Sequence, residues 1–160
     1  MIYVLQVMTG KELTVRKLLE QRDIVAYVPR ERIEIRKGGL WSKMIKLLFP
    51  GYVFVDIDFS AEIFHTINPI EGVIRFLGLP TPLPERETDM ILWLANGGEI
   101  IEPSPVISDG DKIISCGGFL EGHEDDIKRL NARQRKAAVE VRFGGKVHRA
   151  NIGVEIKKVE

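Results

Sequence analysis

The hydrophobic positions of the N-terminal part of the chain follow strand and helix periods in turn. An apolar run from Tyr3 to Met8 predicts a buried strand, and apolar residues between 15 and 19 fall on one face of a helix. Thr9 and Glu12 have the spacing of a capping box, in which a hydroxyl and a carboxylate satisfy the free amides that begin a helix. A second strand is predicted between residues 24 and 28, so the chain opens with a β-α-β unit.

The segment that follows predicts a hairpin and then an aromatic strand. Residues 31–36 alternate isoleucine with charged side chains, and Gly38-Gly39 is a turn signal. The run from Leu48 to Val55 is typical of a strand entered through a proline and a glycine. Because strand side chains alternate in direction, Tyr52 and Phe54 lie on one face and need a partner there.

Three more elements complete the first half of the chain. Ser60 is placed to cap a short helix that ends at Asn68-Pro69, because the residue before a proline avoids the helical region. A strand from Val73 to Leu77 follows, and then a third helix that is closed by Gly97-Gly98. The order β-α-β-β-α-β predicts a ferredoxin-like, split-βαβ domain over residues 1–98.

The second half has a different pattern. Residues 99–107 contain two prolines and no periodicity, which predicts a linker. From 108 to 160 the apolar residues form short patches separated by glycines. This spacing is typical of a small, strongly bent β-barrel of about five strands, so the chain as a whole is predicted to be an α+β protein of two domains.

Composition narrows the class of protein. The chain is 44% hydrophobic and 29% charged, with no apolar run long enough to span a membrane and no signal-peptide pattern at its N-terminus. Cys116 is the single cysteine, which excludes an internal disulfide framework and a zinc cluster. These features favour a cytoplasmic protein, expected to be a monomer, with no membrane contact.

The sequence offers little for catalysis. His65, His123 and His148 are scattered, Cys116 has no evident histidine base, and no phosphate-binding loop or metal-ligand spacing is present. We therefore expect no catalytic site, no metal and no cofactor.

The net charge of zero hides one basic stripe between residues 128 and 149, where Glu140 is the single acid. Arginine forks suit phosphates and base edges, so this stripe favours RNA binding over its alternative, a solvated barrel surface. The candidate RNA-binding residues are Lys128, Arg129, Arg133, Arg135, Lys136, Arg142, Lys146 and Arg149.

The predicted hairpin is a second candidate for nucleic-acid contact. Basic side chains beside an aromatic residue suit phosphate contact together with base stacking. The alternative is an ordinary solvated hairpin face. The candidate DNA contacts are Arg36, Lys37, Trp41 and Lys43.

Taken in order, several short motifs resemble one known family. They are Phe49-Pro50-Gly51-Tyr52-Val53 in the ferredoxin-like domain, then Gly110-Asp111-Lys112-Ile113, Gly117-Gly118-Phe119 and Phe143-Gly144. Their order and spacing resemble the NusG transcription-elongation family, over almost the whole chain. The resemblance implies a NusG N-terminal (NGN) domain followed by a KOW domain, which is an SH3-like barrel that often binds RNA or ribosomal proteins.

Within the family, the chain resembles a specialised paralogue of the LoaP or RfaH type rather than housekeeping NusG, and two features resemble RfaH as much as NusG. One is the run from Leu48 to Phe54, and the other is His65-Thr66, which matches the start of a His-Thr-Thr motif whose third position is Ile67 here. The loop Phe143-Gly144-Gly145 also departs from the Phe-Gly-Arg of housekeeping NusG.

The resemblance implies a function for particular residues. The NGN domain would bind the clamp helices of the largest RNA polymerase subunit through an apolar patch, and His65 and Thr66 would face the gate loop. A factor that contacts both the clamp helices and the gate loop favours the closed, elongating state of the polymerase and so suppresses pausing and termination. The matching patch residues are Ile2, Tyr3, Phe49, Tyr52 and Phe54.

Further partners are implied for the KOW domain. They are nascent RNA, in the form of a structured leader element at specific operons, and ribosomal protein S10. Two alternatives stay open. Tyr52 and Phe54 could be ordinary core residues, and the chain could be a KOW-type RNA-binding or ribosome-associated protein without polymerase contact.

Overall fold

The computed structural model describes residues 1–158, and the strands of this range fall into a four-stranded, a five-stranded and a two-stranded sheet. The chain divides into two compact units. The first comprises residues 1–29, 49–98 and 142–147, and the second comprises 30–48, 99–141 and the segment from His148 onward.

The first unit has a four-stranded antiparallel sheet in the order β2-β5-β1-β6. Its strands are β1 (Ile2–Val7), β2 (Val25–Tyr27), β5 (Tyr52–Asp56) and β6 (Val73–Leu77). Its helices are α1 (Glu12–Glu20), α2 (Ala61–Ile67) and α3 (Glu85–Ala95). With the hairpin β3-β4 set aside, the chain order is the β-α-β-β-α-β that the sequence predicts.

The core of the first unit lies around the central strand β1. Leu5 on β1 and Val53 on β5 form a register pair and are fully buried. Val15 and Leu19 on α1 and Ile91 on α3 are also fully buried. Because side chains on both faces of β1 are buried, its residues are apolar except for the half-buried Gln6.

The second unit contains a hairpin and a curled five-stranded sheet in the order β8-β7-β11-β10-β9. The hairpin consists of β3 (Arg30–Lys37) and β4 (Leu40–Leu47), joined by Gly38-Gly39, whose φ angles are 60° and 80°. The sheet consists of β7 (Ser104–Asp109), β8 (Lys112–Cys116), β9 (Ile127–Asn131), β10 (Lys136–Phe143) and β11 (Lys146–Lys158).

The structure differs from the predicted boundaries in three places. Residues 30–48 were expected within the N-terminal domain but belong to the second unit, and 142–147 were expected in the barrel but belong to the first. Backbone bonds explain the first difference: Arg32 N–H donates to the Ile101 carbonyl at 2.8 Å, and Ile101 N–H donates to the Arg30 carbonyl at 2.9 Å. Part of the predicted linker, residues 104–107, lies in strand β7.

The two predicted helix caps have different outcomes. Ser60 caps α2 as predicted, because its Oγ accepts the Ile63 N–H at 3.1 Å. The predicted capping box at α1 is wrong in its first residue, Thr9. Lys11 occupies the N-cap, and no side chain caps the helix there. Glu12 does reach back, accepting the Gly10 N–H at 2.7 Å, and it also accepts the Gly51 N–H at 2.8 Å. This buried carboxylate therefore ties α1 to the turn that starts β5.

Candidate interaction surfaces

Four aromatic rings of the first unit form one cluster, which we call the aromatic cluster: Phe49, Tyr52, Phe54 and Phe143. Phe143 is its hub, with its ring centroid 4.9 Å from Tyr52, 5.3 Å from Phe54 and 5.5 Å from Phe49. The three interplanar angles lie between 81° and 86°. This is edge-to-face packing, which aromatic pairs prefer because the positive edge of one ring meets the negative face of another.

The exposed patch that the sequence predicts is therefore covered. Phe49 is 4% exposed, Phe54 is fully buried and Phe143 is 2% exposed, while Tyr52 is half-buried. The physical reason is that Phe143, at the end of β10, fills the space beside β5. Phe143-Gly144 is recognisable in the sequence as a motif. No local pattern indicates that residue 143 packs against residues some ninety positions earlier.

The segment that carries Phe143 has further contacts within the first unit. The Arg142 N–H donates to Glu87 Oε2 at 2.9 Å. Gly144 and Gly145 turn the chain with φ angles of 60° and 74°. A Cβ added at Gly144 would lie 3.1 Å from Leu77 Cδ1, so the turn fits closely as well as having a conformation that favours glycine.

The other predicted polymerase-binding residues fall into two groups. Ile2 and Tyr3 are buried in β1, as the predicted buried strand requires, and the Tyr3 ring lies 5.4 Å from that of Phe59. On α2, His65 is exposed, and Thr66 is half-buried with its Oγ1 donating to the Glu62 carbonyl at 3.0 Å. His65 is thus accessible to a partner.

The predicted basic stripe is divided between the units. Arg142 and Lys146 are exposed residues of the first unit, and the other six belong to the second. Three of those six, Arg129, Lys136 and Arg149, line a hollow of about 240 Å³ across β9, β10 and β11. We call this feature the basic hollow. Asn131 and Gln134 also line it, and they add amide donors and acceptors.

The remaining residues of the stripe have different surroundings. Lys128 and Arg133 are exposed. Arg149 forms an ion pair with Glu140 at 3.2 Å, so part of its charge is already balanced. The guanidinium of Arg135 lies 4.8 Å from the centroid of the Trp41 ring, a cation–π contact.

The predicted DNA-contact residues lie at the hairpin end. Arg36, Lys37 and Lys43 are exposed, and Trp41 is 50% exposed. Arg36 and Trp41 are register partners, so the ring and a basic side chain lie side by side. Because Arg135 contacts the same Trp41, the structure brings the DNA and RNA candidates together within the second unit.

A buried carboxylate at the base of this hairpin has no counterpart in the predictions. Glu31 is 2% exposed, and its Oε2 accepts the Gly153 N–H at 3.0 Å. Burial raises the pKa of Glu31 to about 7, although the Gly153 bond and the charges of Lys46 and Lys136 act in the other direction. Its neighbour Arg32 is paired with Glu102 at 2.9 Å. The sequence shows Glu31 only as one charge in an alternating strand.

A family model described as "Transcription termination factor nusG" matches residues 2–92, more than half of the chain. The chain belongs to the NusG family. The match includes every residue from β1 to the middle of α3, and hence all of the aromatic cluster except Phe143.

Named relatives extend the similarity over the barrel. The transcription termination/antitermination protein NusG of Helicobacter pylori strain J99 is 28% identical, covering 90% of this chain and 89% of its own. The NusG protein of Pasteurella multocida is 30% identical, covering 99% and 93%. A solved structure of Thermotoga maritima NusG, on domain interaction in that protein, is 26% identical with a TM-score of 0.57 over 96% of this chain. This NusG likeness agrees with an NGN domain followed by a KOW domain.

Two kinds of feature are absent from the described residues. No helix within residues 1–158 is long and apolar enough to cross a membrane. The same range contains no group of three or more histidine, cysteine, aspartate or glutamate side chains placed to hold a metal ion. Cys116 is buried, and its burial, together with the charge of Glu124, raises the pKa of its thiol.

Proposed function

We propose that this chain is a transcription processivity and antitermination factor that binds elongating RNA polymerase through Phe49, Tyr52 and Phe54. The observation that carries this proposal is the composition of the aromatic cluster. Three of its rings belong to the segment from Phe49 to Phe54, and the fourth, Phe143, comes from a separate hairpin turn. Phe143 occupies the position that an apolar side chain of the polymerase would take.

This arrangement makes binding a competition. The polymerase gains the patch only when Phe143 has left it, so the apparent affinity falls by the fraction of molecules in which the patch is open. Phe143 is held by ring contacts and precedes a turn with two glycines, and in this proposal it leaves the patch when polymerase binds. Residues 1–98 act as the polymerase-binding domain in this proposal, with His65 and Thr66 facing the gate loop and the patch facing the clamp helices.

The finer assignment is to a specialised paralogue of the LoaP and RfaH type. The exposed position of His65 on α2, next to Thr66, supports it, as does the glycine that follows Phe143-Gly144. Residues 108–160 act as an RNA- or protein-binding domain, in which the basic hollow contacts nascent RNA of particular operons. The three cations of the hollow, Arg129, Lys136 and Arg149, support that contact because they are close enough to follow one phosphate backbone.

Polymerase binding tests the first part of the proposal. Phe143→Ala removes the competing ring and should raise the amount of polymerase that co-purifies with the factor by about tenfold, as an opened binding site does. Adding Tyr52→Ala, a half-buried residue whose loss leaves the core intact, should abolish that gain. Val147→Ala, at an exposed position in the same segment, is the matched control and should bind as the wild type does.

A double variant that binds as well as Phe143→Ala would show that polymerase uses another surface. A second candidate function is favoured by the burial of Phe49 and Phe54, namely an RNA-binding or ribosome-associated protein without polymerase contact. In that case neither the wild type nor Phe143→Ala retains polymerase, while RNA or ribosomes still bind. Transcription across a terminator, with and without candidate leader RNA, separates the two functions in one assay.

A further inference from the structure

The second unit contains a cavity of about 340 Å³ whose buried carboxylate, Glu31, is used by none of the predicted functions. Its walls come from the hairpin β3-β4, from the turn before β10 and from β11. Ile33, Ile35, Pro103 and Val154 supply apolar wall, and this volume lies within the range of about 300–1,000 Å³ typical of small-ligand sites. We call it the Glu31 cavity, because Glu31 is its buried charged group.

The polar groups of the Glu31 cavity are of two kinds. Glu31 presents a carboxylate whose Oε2 accepts the Gly153 N–H, and an ionised carboxylate can accept further hydrogen bonds. Trp41 and Arg135 also line the cavity, and they are stacked on each other with 4.8 Å between guanidinium and ring centroid. The site therefore combines a hydrogen-bond acceptor in a buried position with flat, polarisable surface.

This combination selects a planar ligand whose edge donates hydrogen bonds. Unstacked nucleobases bind proteins in this way, with the face against aromatic or guanidinium planes and the pairing edge against side-chain acceptors. Above pH 7, where Glu31 is mostly ionised, its carboxylate only accepts hydrogen bonds. Guanine has two adjacent donors on its pairing edge, N1–H and the 2-amino group. Adenine and cytosine place an acceptor beside their single amino donor, and uracil flanks its one donor with two carbonyls.

The charges around the cavity distinguish a base within RNA from a free nucleotide. Glu31, Glu34 and Glu155 line it together with Arg133, Arg135 and Lys136, so the acidic and basic side chains are equal in number. A mononucleotide would bring its phosphate charges into this balanced site and gain little. Gln134 and Lys136 line both the Glu31 cavity and the basic hollow, which connects the two. A phosphate backbone on the basic hollow can therefore deliver one base to the cavity.

We propose that the Glu31 cavity is a recognition pocket for one unstacked guanine of a single-stranded RNA whose backbone lies on the basic hollow. The inference rests on the proposed RNA contact of the barrel and deepens it, because it assigns base specificity to Glu31, which lies outside the basic stripe. Glu31 reads the pairing edge, Arg135 and Trp41 stack on the face, and Arg129 and Arg149 hold phosphates.

The test measures binding of the full chain to short oligouridine RNAs that carry one guanine, inosine, adenine or cytosine at the centre. The guanine RNA should bind about tenfold more tightly than the adenine RNA, the range of one good bidentate base contact. The inosine RNA, which lacks the 2-amino group, should fall between them. Guanosine monophosphate, added as competitor, shows whether a free nucleotide occupies the same site.

Three variants separate base recognition from general affinity for RNA. Glu31→Gln keeps the size of the side chain but offers one donor and one acceptor, which suits adenine, so the preference for guanine should fall to within about twofold. Arg149→Ala should weaken all four RNAs by a similar factor and leave the preference unchanged, since phosphate contacts carry no sequence information. Ile35→Trp, which fills the cavity from a half-buried wall, should remove the preference without touching Glu31.

The outcomes distinguish this inference from the proposed function. RNA that binds without base preference, and loses affinity in Arg149→Ala, overturns the guanine pocket and leaves RNA binding by the barrel in place. A preference that survives both Glu31→Gln and Ile35→Trp overturns the assignment to this cavity. Binding of guanosine monophosphate without binding of any RNA overturns the RNA source, and the absence of both overturns the inference together with the proposed RNA contact.

Discussion

The aromatic cluster and the Glu31 cavity differ in how completely their buried groups are satisfied. In the aromatic cluster each ring is in contact with at least one other ring, and Phe143 meets all three others edge to face. In the Glu31 cavity the carboxylate accepts a hydrogen bond from a backbone N–H, and its burial raises its pKa. The first region is stable because its partner is present, whereas the second keeps hydrogen-bonding capacity for a ligand.

The contrast separates two kinds of recognition. An apolar patch that is covered from within the chain can be regulated by uncovering it, because ring contacts are replaced one for one by those of a partner. A buried acceptor with adjoining empty volume selects its ligand by donor geometry, because a wrong edge leaves the carboxylate unpaired. Substitutions that affect stability, titration or contact energy in one region but not in the other test this division.

The largest effect is expected from Phe54→Ala. Phe54 is fully buried in the aromatic cluster, and truncating a buried phenylalanine typically lowers the free energy of unfolding by about 3–5 kcal/mol. Urea denaturation followed by far-UV circular dichroism measures the loss. Leu92→Ala, at a position 40% exposed on α3, is the control and should change stability by less than about 0.5 kcal/mol. A loss below about 1 kcal/mol for Phe54→Ala would show that the cluster is not packed as described.

The next largest effect is a change of folding stability with pH, which is caused by Glu31 in its cavity. Because folding raises the pKa of Glu31 from 4.5 to about 7, the folded state binds this proton more tightly than the unfolded chain. The group therefore favours folding most below pH 4.5, and its contribution is lost as the pH rises to about 7, by roughly 3 kcal/mol in all. The charged groups around it are Lys46 on β4, Lys136 on β10, and Glu34, Arg133, Arg135 and Glu155 in the cavity wall.

Glu31→Gln isolates this titration from the others. The free energy of unfolding of the variant relative to the wild type should rise between about pH 5 and about pH 8, since only the wild type buries a charge at the higher pH. Urea denaturation at both pH values measures the difference. Glu34→Gln, on the same strand but exposed, is the matched control and should show no such rise. A constant difference for Glu31→Gln would mean that its carboxyl titrates as in water.

A smaller effect is expected from the ion pair at the surface of the hairpin. The ion pair of Arg32 and Glu102 is short, at 2.9 Å, but both side chains are at least one-third exposed. Exposed pairs typically contribute about 0.2–1 kcal/mol, so Arg32→Ala should lower stability by no more than that and less at high salt. Denaturation at low and high salt measures it. If Arg32→Ala lowered the free energy of unfolding as much as Phe54→Ala does, the hairpin would be stabilised by its ion pairs rather than by its buried backbone hydrogen bonds.

The local elements of this fold were predictable from sequence because their signals are local. Strand β1, the Gly38-Gly39 turn and the Ser60 cap each follow from neighbouring residues. Strand β7 was missed because two of its inward-facing residues are serines. Ser104, Val106 and Ser108 are buried along one face, and Ser104 Oγ accepts the Leu120 N–H at 3.1 Å. A hydroxyl with a tertiary partner is tolerated in a core, but it erases the alternation from which strands are read.

The candidate sites were less predictable, for a related reason. The composition of the aromatic cluster was anticipated for Phe49, Tyr52 and Phe54, but its burial depends on Phe143, which is distant in sequence. The Glu31 cavity depends on Gly153, whose N–H satisfies a carboxylate more than a hundred positions earlier. Tertiary packing determines which residues meet in such pairs, and the residue types alone do not indicate the partner.

The smallest effect is expected at the contact of Arg135 with Trp41. The guanidinium lies 4.8 Å from the ring centroid, and Trp41 is 50% exposed, so water screens much of the attraction. A double-mutant cycle of Arg135→Ala and Trp41→Ala should give a coupling energy of about 0.5–1 kcal/mol, the range for exposed cation–π pairs. The coupling should increase when the guanine RNA is bound, because a base stacked on this pair excludes that water. If the coupling is the same with and without RNA, the base does not stack there, and Glu31 is left as the sole determinant of its position.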